Sequence, residues 1–515
     1  MKFLRPILLV VLGLTVVLGP LTPIAVDAQT AAPKRGGTLR MVEPGEPDSL
    51  DMARTLANYS FIVGEQIFEG LFRWTPKGLV PWLAQDVRVS PDGKSWTLKL
   101  RQGVVFHDGT PFNAEAVRFN LERIRNGKGF TYAGLLAPLA EIKAADDHTV
   151  QIAMKAPYGP FRALLGFIYF GMQSPTALQK HGENSGSNPV GTGPFRFQSW
   201  QRGGELVLAR NDNYWGEKAF VDRIVVTAIP DLNGRVSALE AGDADVIVEV
   251  PPSEVARLSK SNRVQVLSAV TSRNQWLRFN ELKPPFEKSQ VRRAAALATN
   301  RDAYIKGVMQ GHATRARNIV GPGVVGYAEL EPIPYDPAKA KELLAQAGLP
   351  NGFSTTMTCA PSDELICQAV VQDLAAVGIN AKLQTLEWGT FLKYIMMPAG
   401  ENEYQMSIVT RISQYLDADF PLYPDFHSAN WRPKGGNHLF YKNLDVDRFL
   451  DATRIETDVA KRSALFANAM KLLWADLPVV PLYSQHFIVG TASRLKGVEI
   501  TPNERVLLQK AWLDR

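Results

Sequence analysis

The residue types most able to do chemistry are spaced here for structure rather than for turnover. Seven histidines stand at positions 107, 148, 181, 312, 427, 438 and 486, with no His-x-His or His-Glu-x-x-His grouping. Without that spacing, no short segment offers two imidazoles to one metal ion. The Ser-centred elbow Gly-x-Ser-x-Gly is absent, and the scattered carboxylates define no acid pair for proton transfer. Gly191-Thr192-Gly193 lacks the Gly-Lys-Ser/Thr of a nucleotide loop, so it predicts a turn entering a strand. His107 stands in a turn with Asp108-Gly109 and is expected to hydrogen-bond within the fold rather than to bind metal. A secreted hydrolase is the rival class, and none of its signatures is present. No cofactor and no catalytic residue is implied.

The N-terminal residues carry an address. Lys2 and Arg5 precede an unbroken run of apolar or small residues from Ile7 to Leu18, followed by Gly19, Pro20, Pro23 and small residues around Val26-Asp27-Ala28. That order predicts a secretory signal peptide over residues 1–28, cleaved near Ala28. The run is 12 residues long, short of the about 20 that a spanning helix needs. No Cys follows it to carry a lipid anchor, so a free periplasmic protein is expected. The 515 residues are 45% hydrophobic and 21% charged with formal net charge +6, which fits a globular chain of several domains. No block of Lys and Arg occurs, which argues against a nucleic-acid partner. Cys359 and Cys367 are the disulfide candidates. Cys359 should end a strand and Cys367 should lie in the first turns of the next helix, where the two can meet in an oxidising compartment. A redox pair is typically closer in sequence, and zinc needs more ligands.

The elements that must position these residues alternate between helical and strand periods, which predicts an α/β fold. Asp336, Pro337 and Gly348 mark a helix start and stop around the stripe Ala340, Leu343, Leu344 and Ala347. A strand over 353–358, a helix over 362–377 and a strand over 379–386 predict a βαβ unit with a parallel sheet. Trp96, Leu98 and Leu100 alternate with polar residues, as do residues 149–154, which predicts antiparallel strands with a helix over 114–125 packed on one side. A helical pair over 446–456 and 459–474 precedes a strand at 479–483. No internal repeat or low-complexity linker is visible.

Several motifs carry a resemblance. Pro81-Trp82-Leu83-Ala84 leads to Ser90-Pro91-Asp92-Gly93-Lys94-Ser95-Trp96 and Leu100-Arg101-Gln102-Gly103-Val104-Val105-Phe106-His107-Asp108-Gly109. Asn188-Pro189-Val190-Gly191-Thr192-Gly193-Pro194-Phe195, Asn213-Tyr214-Trp215-Gly216, Phe279-Asn280 and Pro284-Pro285-Phe286 follow in order. From about Gly36 onward the chain closely resembles the family 5 extracellular solute-binding proteins, receptors of peptide/nickel-type ABC importers. The resemblance implies a two-lobed periplasmic-binding-protein fold of type II character, with an additional domain on the first lobe. Lobe I would comprise residues 36–65, 190–270 and 485–515, the extra domain 66–189, and lobe II 271–484. A monomer would capture a small organic or peptide-like ligand between lobes that close on it, then dock on ABC transporter permease subunits. A sensor or chaperone-like role on the same fold is the alternative that sequence leaves open.

Specificity is expected in the segment Arg411-Ile412-Ser413-Gln414-Tyr415-Leu416-Asp417-Ala418. Peptide-binding members are similar to Trp-x-x-Asp-x-x-Asp-Pro here, and the first Asp pairs with the ligand's α-ammonium. In this chain Arg411 replaces the Trp and Gln414 replaces that Asp, and a neutral amide cannot make the charge-assisted bond. Arg411 offers a fork for a carboxylate or phosphate. The competing arrangement has Arg411 facing solvent or pairing with Asp417 or Asp419, leaving an apolar, aromatic pocket. Tyr415 is the resemblance's best single ligand-facing residue. Tyr59, expected in the loop after the first strand, and Trp276 and Trp388 are further candidates. His427 is the one histidine near this segment, so direct metal binding is not expected, while a metal–organic chelate remains an alternative ligand.

Overall fold

The computed structural model describes residues 32–514. The expected signal peptide over 1–28 lies outside the described residues. Among the described residues no helix is long and apolar enough to cross a membrane.

The frame is one mixed sheet whose two halves are joined by two long antiparallel strands, Val264–Phe279 and Val479–Ala492. On one side Thr38–Glu43 runs parallel to both Arg223–Ala228 and Val246–Val248, and Leu206–Arg210 and Phe195–Trp200 extend that side antiparallel. On the other, Phe353–Cys359 runs parallel to Ile379–Thr385 and Met406–Arg411. The long strands fix the polarity of both sides. Val246–Val248 is antiparallel to Val479–Ala492, and Met406–Arg411 is antiparallel to Val264–Phe279. The two sets of parallel strands therefore run toward each other, and their carboxyl ends face across the join. The ladder between the long strands shifts register between Val270 and Asn274.

Local rules explain the elements that carry this frame. The βαβ unit forms as its pattern predicts, with helix Glu364–Ala375 between its strands and Ile366, Val370 and Leu374 buried. Cys359 and Cys367 are joined by a disulfide with Cα atoms 6.7 Å apart, pinning the start of the helix to the end of the strand. Asp336 caps helix Pro337–Gln346 by accepting from the Lys339 amide at 2.9 Å. A separate antiparallel sheet has the order Ala84–Val89, Ser95–Leu100, Thr149–Met154, Leu139–Asp146, with helix Ala114–Asn126 packed on the last strand. The strand expected at 479–483 runs on to Ala492 because nearly every side chain over that length is buried in the join. Both faces are covered, so no polar alternation marks its end.

The signature motifs converge on one carboxylate. Glu69 is 4% exposed and accepts from Tyr214 Oη at 2.6 Å, Thr192 Oγ1 at 2.7 Å, Trp215 Nε1 at 2.9 Å and Trp82 Nε1. His107 closes the same corner, accepting from the Gly191 amide through Nδ1 and donating from Nε2 to the Gly193 carbonyl at 3.0 Å. Burial, opposed by that carbonyl, pushes its pKa down to about 4, so the ring is neutral. A Cβ on Gly191 would stand 2.1 Å from the Ile67 carbonyl oxygen, which restricts this position to glycine. These motifs hold the first half of the chain together.

Candidate ligand-binding site

In open α/β sheets ligands bind outside the carboxyl ends of parallel strands. Here both sets of ends face the same space, and a cavity of about 710 Å³ lies there. Its lining comes from both halves: Glu249 to Ser253 after one parallel strand, Ser362 to Ile366 after another, Thr410, Arg273 and Gln275 near the register shift, and Glu504 from the C-terminal segment. A volume of this order suits a small organic ligand.

Of two charged clusters near the join, the first contributes Glu249, Arg273 and Glu504 to the lining of this space. In the first, Arg273 holds Glu504 through both carboxylate oxygens, with Nε to Oε1 at 2.6 Å. Burial opposes the Arg273 charge and Glu504 more than restores it, so its pKa lies above the ordinary value. Glu249 and Glu504 both adopt left-handed backbone, with φ of 58° and 64°. Such strain in a residue with a Cβ persists only where the surroundings fix it, and it clusters at functional sites. Glu43, the last residue of its strand, is fully buried and neither carboxylate oxygen has a hydrogen-bond partner. Burial first, then the nearby Glu249 charge, raises its pKa well above the ordinary value. Tyr59 stands among Glu249, Glu43, Arg235 and Arg273, and burial foremost raises its pKa to about 12. It lies in the first turn of helix Asn58–Ile67, not in a loop as expected.

The second cluster surrounds Gln414. Its Oε1 accepts from Arg505 Nη2 at 2.6 Å, and its carbonyl accepts from Asn503 at 2.9 Å. Arg505 is 1% exposed, also donates to Asn58 Oδ1, and lies over the Phe61 ring at 5.0 Å. Burial lowers its pKa to about 10 despite Glu65 and Glu504 nearby, which leaves it charged at neutral pH. Two buried donors, Arg505 Nε and Asn58 Nδ2, have no acceptor. Tyr132 lies within electrostatic reach of both Arg505 and Arg411.

The remaining sequence candidates separate. Arg411 pairs with Asp425, its Nε 2.9 Å from Oδ2, and lies over the Phe420 ring at 5.1 Å; its partner is neither Asp417 nor Asp419. Asp417 is 1% exposed and grips Arg462 with both oxygens, an internal ion pair. Trp276 is also internal: its Nε1 donates to the Ile319 carbonyl at 3.0 Å and its ring packs on Phe426. Tyr415 donates to Asp419 at 3.0 Å and is enclosed by Phe420 and Phe167, so its hydroxyl and ring are already engaged. Trp388 opens helix Trp388–Ile395, stacks on Phe391 and is 53% exposed, outside both clusters. His427 contacts Asp447 and Asp451, and among the described residues no group of three His, Cys, Asp or Glu is placed to hold a metal ion. Sequence reasoning missed Glu43, Glu249, Arg273, Glu504 and Arg505, because no motif joins residues that only the topology collects.

A cavity facing the carboxyl ends of two opposed sets of parallel strands in one mixed sheet is the architecture of a two-lobed α/β binding protein. Residues 78–433 match the family model of bacterial extracellular solute-binding proteins, family 5, and the chain belongs to that family. It is 32% identical over 448 residues to the glutathione-binding protein GsiB of Shigella dysenteriae serotype 1, covering 86% of this chain and 88% of that protein. Among solved structures it is similar to the periplasmic binding protein DppA of Helicobacter pylori in complex with the peptide STSA, at 29% identity and TM-score 0.79, covering 94% of this chain and 99% of the other. It is also similar to AgaA of A. tumefaciens R10 in complex with agropinic acid, at 27% identity and TM-score 0.76, covering 93% and 99%.

Proposed function

We propose that this protein works in the periplasm as the receptor of an ABC importer, capturing without turnover a small peptide-like ligand that carries at least one carboxylate, and handing it to the permease subunits. The observation that carries this reading is the pair of unpartnered buried donors, Arg505 Nε and Asn58 Nδ2, beside Gln414. Buried polar groups in native proteins are nearly always satisfied. Donors left without an acceptor, on the residue next in the chain to the cavity-lining Glu504, therefore favour an anionic group. The family resemblance implies an ammonium-binding Asp at this place in peptide-binding members, and here Arg505 bonds the amide that stands there instead. The named ligands of the relatives, glutathione and agropinic acid, support an acidic ligand.

Calorimetry with glutathione tests this. Binding in the micromolar range or tighter is expected, weakened about 30-fold by Arg505→Met, since a bond to a charged group contributes about 2 kcal/mol. Equal affinity for glutathione and for its carboxyl diester would overturn the acidic-ligand reading.

A further inference from the structure

A second unsatisfied group, behind the cavity-lining Glu249, has the opposite character. Glu43 ends the strand at the centre of the first half, is 0% exposed, and leaves both carboxylate oxygens without a hydrogen-bond partner. Its charged neighbour is a second acid, Glu249, which lines the cavity and is held in left-handed backbone. Arg235 is nearby, but it donates to the carbonyls of Ile229, Pro230 and Glu249. It shapes the Glu249 turn without hydrogen-bonding either carboxylate. Tyr59 completes the group, and a Cβ on Gly45 would stand 2.7 Å from its ring, so the first strand's exit is kept clear for the phenol. An uncompensated buried carboxylate beside another is costly, and a fold that keeps one places it where a cation arrives.

We infer that Glu43, Glu249 and Tyr59 form a subsite for a primary ammonium group, so that the ligand is held as a zwitterion with its amino end at Glu43 and its carboxylate at Asn58 and Arg505. An ammonium has three donors and no acceptor, matching the two carboxylates and the phenol oxygen. The two subsites are contiguous because Asn58 and Tyr59 are neighbours in the first turn of one helix. Successive residues there point about 100° apart, so one helix end serves both poles. The amino group of the ligand is thereby held away from position 414, where the family resemblance implies an anchoring Asp.

The inference rests on the receptor reading above, and two probes separate their failures. With glutathione, N-acetylation should weaken wild-type binding about 30-fold, and in Glu43→Gln that penalty should shrink to under about threefold because the partner charge is gone. An undiminished penalty in Glu43→Gln overturns the subsite. n-Butylammonium, followed by protein-detected NMR at millimolar concentration, needs no assumption about the natural ligand. It should perturb Tyr59 and bind at least about fivefold more weakly to Glu43→Gln, the loss of one charge-assisted bond. Equal binding to both proteins, or none to the wild type, also overturns it. If glutathione fails to bind while butylammonium binds in a Glu43-dependent way, the glutathione-like ligand is wrong and the ammonium subsite stands. Gln has nearly the shape of the buried carboxyl it replaces, so a thermal melt close to the wild type's will confirm that Glu43→Gln is folded.

Discussion

Among single residues, the groups buried without full compensation set how the protein answers to pH. Burial lifts the Glu281 carboxyl from 4.5 to about 7, with Arg292 opposing and Asp476 adding. Between those values the folded chain keeps a proton that the unfolded chain has lost. The associated stability is present below pH 4.5 and disappears as pH rises toward 7, by about 3 kcal/mol. His107 has the opposite sign. Its pKa falls from 6.5 to about 4, so its contribution is present above pH 6.5 and is lost as pH falls toward 4, by a similar amount of about 3 kcal/mol. The two trends oppose each other across one window. Glu281→Gln should therefore leave a protein that is more stable than the wild type at pH 7 and loses stability more steeply in acid. Urea titrations from pH 4.5 to 7.5 measure this. A variant-minus-wild-type difference that does not grow with pH would show that Glu281 is ionised throughout.

At the scale of elements, the signature segments are joined through Glu69. Trp82 follows a short hairpin, Thr192 lies in a turn, and Tyr214 and Trp215 lie in the loop before strand Arg223–Ala228. Glu69→Ala would leave four donors without an acceptor in one corner, and removing one member of a buried charged network costs about 3–5 kcal/mol. A drop of that size in unfolding free energy by denaturant is expected, with the ligand affinity of the remaining folded protein unchanged because Glu69 touches neither cluster of the cleft. The motifs that identify the family thus serve its architecture, which explains why they were legible in sequence while the site was not. Gly-rich turns, caps and the βαβ period are local in the chain, and so is the Cys359–Cys367 disulfide, closed over eight positions. Glu43, Glu249, Arg273 and Arg505 are far apart in the chain, and each is an ordinary charged residue until the sheet brings it to the join. Arg411 shows the same limit. Its replacement of Trp was visible, whereas its pairing with Asp425 depends on how helix Asp419–Phe426 folds back.

For the whole molecule, binding is a matter of how the halves meet. Tyr132 packs edge-on against Phe420 at 6.1 Å and against Phe167 at 5.6 Å, while Tyr415 meets Phe167 at 6.3 Å. These rings connect the segment that bears the small antiparallel sheet to the loop that bears Gln414. Aromatic pairs of this kind contribute about 1 kcal/mol each beyond their area. Tyr132→Ala should weaken ligand binding roughly fivefold by disfavouring this arrangement. Small-angle scattering should show a larger radius of gyration in the ligand-free variant than in the wild type. An unchanged radius with weakened binding would instead assign Tyr132 to direct ligand contact.

The strand Val479–Ala492 has a consequence for how the chain is made. Its first residues complete the sheet of one half against Arg278, Leu277 and Trp276, and its last residues complete the other against Val246, Ile247 and Val248. During synthesis both half-sheets therefore stay open-edged until residues 479–492 emerge, although most of their strands were laid down much earlier. Folding of the whole waits on one late segment. Completion of this single strand then locks both halves together.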